Sequence, residues 1–253
     1  ISELDASEIA DVSGFSEFDT KGSINGSIKV DNIFTALKIT SDIKATGVVM
    51  GKDTIGNINV AGYYDDSKKL VVMEPTTGIF YHDRTLTLTG KLSFDNSSSQ
   101  SIDAELNLHN TRLSLLNPLL AGYVSNISGT LDGKIAIKGT SDAPDVNGRV
   151  MLNDAKLHID FLGTDYEIPK GSITVNNSLI DLEDIKVYDR FKNTASISGG
   201  IRHKNLGNMS LNIRATSPKF EVIDLKSNES ELFYGNLVAS FENLSVTGPF
   251  DNI

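Results

Sequence analysis

The 253-residue chain has no cysteine, no tryptophan and only six prolines. Without cysteine there is no disulfide framework, no thiolate metal site and no thiol nucleophile. The same lack is compatible with an oxidising envelope compartment. Aromatic residues are 7% of the chain, too few for stacking platforms that hold sugars or bases. Positive charge is also short: 23 Lys and Arg against 33 Asp and Glu leave a formal charge of −10. That balance excludes a basic footprint for nucleic acid and electrostatic adhesion to anionic lipid headgroups. No apolar run reaches the roughly 18 residues of a membrane-spanning helix.

Catalytic signatures are missing as well. The sequence holds no Walker loop, no GxSxG, no HExxH and no zinc-type spacing. His82, His109, His158 and His203 are scattered, and His109 and His158 fall on polar strand faces. Asp142 and Asp145 flank Pro144 without the spacing of a calcium loop, so they read as a turn. The expectation is a non-enzymatic chain with no metal and no cofactor.

What is present is alternation. Leu86, Leu88, Leu92 and Phe94 share one face of a segment whose other face is Thr, Lys, Ser and Asp. Ile102, Leu106 and Leu108 continue the pattern, as do Leu131, Ile135 and Ile137, then Val146, Val150 and Leu152. Ile173 and Val175, Ile197 and Ile201, Leu211 and Ile213, and Leu237 and Phe241 complete it. Period two with one apolar face marks antiparallel strands wet on one side. These 21 positions are the candidate lining of an apolar groove. Two phase slips, at Asn153-Asp154 and at Glu242-Asn243, predict β-bulges. Leu113, Leu116, Leu120 and Val124 predict a helix over 113–124, short or bent because Pro118 lies inside it. Phe220, Val222, Ile223 and Leu225 fit one helical turn or a strand, and a second short helix is the expectation over 218–225.

The pattern repeats. Gly22-Ser-Ile24-Asn-Gly26 returns as Gly129-Thr-Leu131-Asp-Gly133 and, more loosely, as Gly235-Asn-Leu237-Val-Ala239, at spacings of 107 and 106 residues. Gly56-Asn-Ile58 corresponds to Gly171-Ser-Ile173, and Asp83-Arg84 to Asp189-Arg190. The recurring Asp-Arg pair is expected to be a salt bridge or turn cap. The approximate units are 22–128, 129–234 and a truncated 235–253, forming one continuous β region over 1–253. Gly248-Pro249-Phe250-Asp251 resembles the start of the link at Gly139 to Asp145, so the chain reads as a piece of a longer repeat array. About 16 to 18 strands at roughly 4.8 Å spacing would make a sheet near 80 Å long. Its apolar face must close, pack on another layer or hold something apolar.

The segment from Ile127 through Gly129, Gly133, Gly139, Pro144 and Gly148 to Ala155 resembles the recurring segment of the TamB family, in the AsmA-like group. Gly171-Ser-Ile173 and Ser198-Gly199-Gly200 extend the likeness, which is best from Leu113 to Leu225. The resemblance implies an all-β, taco-like curled sheet with an apolar interior and one or two short helices. It also implies a periplasmic protein anchored elsewhere in the inner membrane and working with an Omp85-type outer-membrane barrel of the TamA kind. The expected function is a conduit holding phospholipid acyl chains between the two membranes. The alternative is a scaffold for unfolded outer-membrane protein strands. A weaker third is an adhesin-like repeat without cargo.

Overall fold

The computed structural model describes residues 2–8, 19–94, 100–204, 207–228 and 234–249. The chain is all-β, as the alternation requires. Its strands are β1 (Leu4–Asp5), β2 (Thr20–Asp31), β3 (Lys38–Met50), β4 (Asp53–Asp65), β5 (Leu70–Met73), β6 (Gly78–Tyr81), β7 (Arg84–Ser93) and β8 (Ser101–Arg112). After two helical turns come β9 (Val124–Thr140), β10 (Pro144–Ile159), β11 (Thr164–Val175), β12 (Leu179–Tyr188), β13 (Thr194–Lys204), β14 (Gly207–Leu225) and β15 (Gly235–Pro249). All fifteen lie in one sheet in sequence order, with β6 set between β4 and β7. The strand path is open: among the described residues β1 pairs only β2, and β15 only β14.

The chain forms two compact units, Ile1–Thr111 with Lys134–Val146, and Arg112–Gly133 with Asn147–Ile253. In the first unit, β5 and β6 are halves of one broken strand. β5 pairs β4 at Gly62 to Asp65, and β6 pairs it at Asn57 to Asn59. The break contains Pro75, which has no N–H for a ladder. Thr77 fills the gap: its hydroxyl donates to the Ala61 carbonyl at 2.7 Å and accepts from the Ala61 N–H at 3.1 Å.

In the second unit, β12 runs unbroken through the corresponding place, with a bulge against β13 between Leu182 and Ile185. The core of this unit is Leu113, Ile127, Leu152, Ala155, Ile185, Val187, Ala195 and Phe220. β11 meets β14 across it. Tyr166 stacks on Phe220 at 5.2 Å between ring centres, and its hydroxyl donates to the Glu221 carbonyl at 3.1 Å.

Both helix expectations need revision. The segment after β8 is a 3-10 turn, Leu113–Leu116, followed by one α turn, α1, Asn117–Leu120. Pro118 sits in the first turn of α1, where its missing N–H costs nothing, and Val124 already belongs to β9. The segment 218–225 is not helical. It is the end of β14 and pairs β15 as far as Leu225. Phe220 and Leu225 bury into the unit, and the β15 ladder outweighs the local helical spacing. Pro218 is tolerated because the register shifts between Ser217 and Phe220.

Both expected bulges are present. The β14–β15 register shifts between Ala215 and Ser217, opposite Glu242-Asn243. In the second unit Gly133 faces Val150 while Gly129 faces Ala155, so four residues span five. Asp154, the extra residue, has φ 48°. The first unit repeats the device. Gly26 faces Ile43, Gly22 faces Val48, and Gly47 has φ 62°.

Close strand approach explains the paired glycines. A Cβ on Gly133 would stand 2.2 Å from the Arg149 carbonyl oxygen, and one on Gly26 would stand 2.3 Å from that of Asp42. The atom met is backbone and cannot swing away. Gly133→Ala is expected to cost about 2–3 kcal/mol in urea unfolding, in the range of other overpacking changes.

Candidate functional site

The register aligns the alternating positions into rows that cross the strands. In the first unit one row runs Ile24, Ala45, Ile58, Ile79, Leu86, Leu108. Another runs Val30, Ile39, Tyr64, Val71, Leu92, Ile102. Leu88 faces Leu106 between them. This is one apolar face six strands wide, and most of it is only half-buried. Ile28 and Val60, on the same face, are 53% and 47% exposed. Phe94 lies half-buried just past β7, and Ile135 and Ile137 are half-buried in this unit, where Val146 is buried.

The second unit has the same construction. A row runs Val150, Ile173, Leu182, Gly199, Ile213, Val246. The next runs Val175, Ile180, Ile201, Leu211, with Gly148 and Gly248 at its ends. Six strands at about 4.8 Å give a row roughly 24 Å long, measured along the sheet.

The face of this unit is unevenly covered. The 3-10 turn and α1 lie over the part nearer the β10–β11 turn: Leu113 is buried in the core, and Leu116 and Leu120 pack on it. Leu152 is a core residue, and Leu131, Ile173, Ile197 and Phe241 pack against the core. Those five candidates therefore hold the fold. Ile201, Leu211 and Ile213 lie outside the core cluster and remain half-buried, while Leu237 is 47% exposed on the last strand. The open part of the face is thus the half nearer the β11–β12 turn.

Several residues of these faces were not among the candidates: Ile24, Ile28, Val30, Ile43 and Ile58 in the first unit, Ile180 and Leu182 in the second. The repeat held the signal for three of them, because Ile24, Ile28 and Val30 stand 107 residues before Leu131, Ile135 and Ile137.

The opposite face is polar and laced with ion pairs. Lys134 meets Glu105 at 3.2 Å, Arg149 meets Glu183 at 2.6 Å, and Lys156 meets Glu167 at 3.3 Å. The hydrogen bond from Lys192, helped by Lys156, holds the Glu167 carboxyl below its ordinary range. His158 lies here and meets Asp165 at 2.8 Å, while His109 is exposed.

One polar cluster is buried. Asp189 has no exposed surface and accepts from the N–H groups of Phe191 (2.9 Å), Asn193 (2.8 Å) and Glu221 (3.0 Å), and from the Asn193 side chain (2.8 Å). Burial pushes its pKa up, but these hydrogen bonds together outweigh burial and hold it below the ordinary value. Arg190 reaches Glu221 at 2.6 Å and also bonds Asp224, and Asn236 of β15 bonds both acids. The Asp-Arg pair is therefore a turn cap and salt bridge, as its repetition suggested. Among the described residues no group of His, Asp and Glu is placed to hold a metal ion.

Residues 77–181 match the family model described as the TamB C-terminal domain. That segment belongs to the TamB family. It runs from the break between β5 and β6 to the start of β12, and so includes strands of both apolar faces. TamB proteins belong to a transport and assembly module of the cell envelope. No curated protein and no solved structure matches the chain. Among the described residues no helix is long and apolar enough to cross a membrane, which says nothing about β-barrels.

Proposed function

We propose that the apolar strand faces hold the acyl chains of phospholipid and pass them along the sheet between the two membranes of a bacterial envelope, without catalysis. The observation that carries this is the rows of mostly aliphatic, largely half-buried side chains, six strands wide in the first unit and interrupted at Gly199 in the second. Acyl chains need no hydrogen-bond partners, and each methylene withdrawn from water is worth about 0.8 kcal/mol. The rows hold Leu, Ile and Val and almost no aromatics, a lining that grips a chain without fixing its position.

The repeat is part of this proposal. Equivalent glycines, bulges and Asp-Arg turns recur at 106–107 residues, which supports units 22–128 and 129–234 with 235–253 opening a third. A periplasmic position, an inner-membrane anchor outside this segment and an Omp85-type partner of the TamA kind follow from the family, and are proposed with it.

A second reading is favoured by one observation: among the described residues β15 pairs only β14. It makes the sheet a scaffold for strands of outer-membrane proteins. Photo-crosslinkers at Leu106, Ile201 and Leu211 separate the two in cells. Capture of phospholipid supports the conduit. Capture of outer-membrane protein peptides at these interior positions overturns it in favour of the scaffold.

A further inference from the structure

The polar face of the first unit carries a pocket that the apolar rows do not use. Its volume is about 280 Å³, and it lies over β3 and β4. Register and alternation build it. Asp42 faces Ala61 and Lys44 faces Asn59, on the side opposite Ile43 and Val60. Ala61 is the floor. Its methyl group leaves a dip between Asn59 and Tyr63, the larger neighbours on the same face of β4.

The far wall is the break between β5 and β6. Glu74 to Thr77 form a tight turn, closed by the Thr77 N–H donating to the Glu74 carbonyl at 2.9 Å. Pro75 takes its second position, which the fixed φ of proline suits. The turn is clamped from both sides. The Glu74 N–H and the Thr77 hydroxyl donate to the Ala61 carbonyl at 2.9 and 2.7 Å, and the Thr77 carbonyl accepts from the Leu88 N–H at 3.0 Å. Glu74 and Thr76 therefore stand as a fixed rim. The second unit lacks this wall. Gly56 and Asp83 are 27 residues apart, their equivalents Gly171 and Asp189 only 18, and β12 is one strand. The pocket is an addition to the first unit and not a product of the repeat.

Its polar groups are uncommitted. Elsewhere on the polar face charges are paired, as Lys134 is with Glu105. Among the described residues Asp42, Lys44 and Glu74 make no ion pair, and the Asn59 and Thr76 side chains make no hydrogen bond. The carboxylates accept, the ammonium donates, and the amide and the hydroxyl do both. Lys38, with its ammonium 5.2 Å from the centre of the Tyr63 ring, balances the second carboxylate. A strongly charged ligand gains no net attraction here, and an aliphatic one strips water from each of these groups. A sugar ring meets both needs. Its hydroxyls donate to the carboxylates and accept from Lys44 and Asn59, and its C–H face packs on Tyr63. The volume is just below the roughly 300–1,000 Å³ of pockets for drug-sized ligands, which suits one ring.

We propose that this pocket binds a single sugar ring, with Asp42, Lys44, Asn59 and Glu74 as its hydrogen-bonding groups and Tyr63 as its platform. The chain is poor in aromatics, but a one-ring site needs only one. The site lies on the face opposite the apolar rows and is independent of the lipid reading.

The test is saturation-transfer NMR on the whole 253-residue protein. The probes are glucose, galactose and N-acetylglucosamine, each free and as its methyl glycoside, at about 10 mM, enough to fill a millimolar site. Saturation is expected to reach the ring protons of at least one probe. It is expected to fall at least about fivefold in Ala61→Leu, which fills the floor, and in Asp42→Ala/Asn59→Ala, which removes two partners. Both variants are expected to unfold in urea at the wild-type midpoint. Glu74→Ala, on the exposed rim, is expected to weaken transfer as well. Transfer to the methyl glycosides marks the end of a glycan as the source, and transfer to the free sugars alone marks a soluble sugar. Three outcomes overturn the proposal: no transfer to any probe, equal transfer to glycerol, or undiminished transfer in the folded variants, which puts the sugar elsewhere.

Discussion

Asp189→Ala is expected to destabilise the protein by about 3–5 kcal/mol, because several buried donors lose their acceptor at once. Three backbone N–H groups and the Asn193 amide all point at this carboxylate, which has no exposed surface. The loss spreads beyond the turn, since the Glu221 N–H belongs to β14 while Asp189 directly follows β12. Asp83→Ala is the matched control. Asp83 holds the equivalent repeat position but is exposed, with one hydrogen bond from Asn110 at 3.2 Å, so its loss is expected to cost less than about 1 kcal/mol. Urea unfolding of the two variants measures the contrast. The sign with pH follows from the lowered pKa. Asp189 contributes its full stability above the ordinary Asp value of about 3.9 and loses it as pH falls through the lower folded value. The wild-type protein should therefore lose stability more steeply than Asp189→Ala as the pH drops below about 4.

The double substitution Ile201→Arg with Leu211→Arg is expected to abolish acyl-chain binding while leaving the fold intact. These residues face each other across β13 and β14, are half-buried, and lie outside the core cluster. Two guanidinium groups there can reach water, so folding loses little. An acyl chain laid over them would have to desolvate both charges, at several kcal/mol. Binding of a fluorescent phospholipid is expected to fall at least about tenfold, which is about 1.4 kcal/mol. Ile197→Arg is the contrasting variant. Ile197 packs against the core, so its replacement should unfold the second unit and report nothing about cargo.

The difference between Ile197 and Ile201 marks how far the sequence could be read. Both sit on the face of β13 that alternation marks as apolar, yet only Ile197 packs against the core. Alternation carries no information on what lies over a face. The cover is Leu113, Leu116 and Leu120, which lie some 80 residues earlier in the chain, and only tertiary packing brings them onto the face near Ala195 and Ile197. The helix expected at 218–225 failed for a related reason. Phe220, Ile223 and Leu225 have helical spacing, but a 15-residue partner strand lies alongside and its ladder decides. The bulges were readable because a one-residue slip moves every following side chain to the other face. The Asp189 cluster was half-readable. Repetition pointed to a turn cap, but nothing in the local sequence shows that Glu221 and Asp224 arrive from β14 to meet Arg190.

The central claim is that the open strand faces carry lipid, and the most direct measurement is mass spectrometry of material extracted from the purified chain. The account predicts diacyl phospholipid bound to the native protein and depleted in the folded Ile201→Arg/Leu211→Arg variant. A folded wild-type chain that yields no lipid, or as much lipid from the variant as from the wild type, would contradict it.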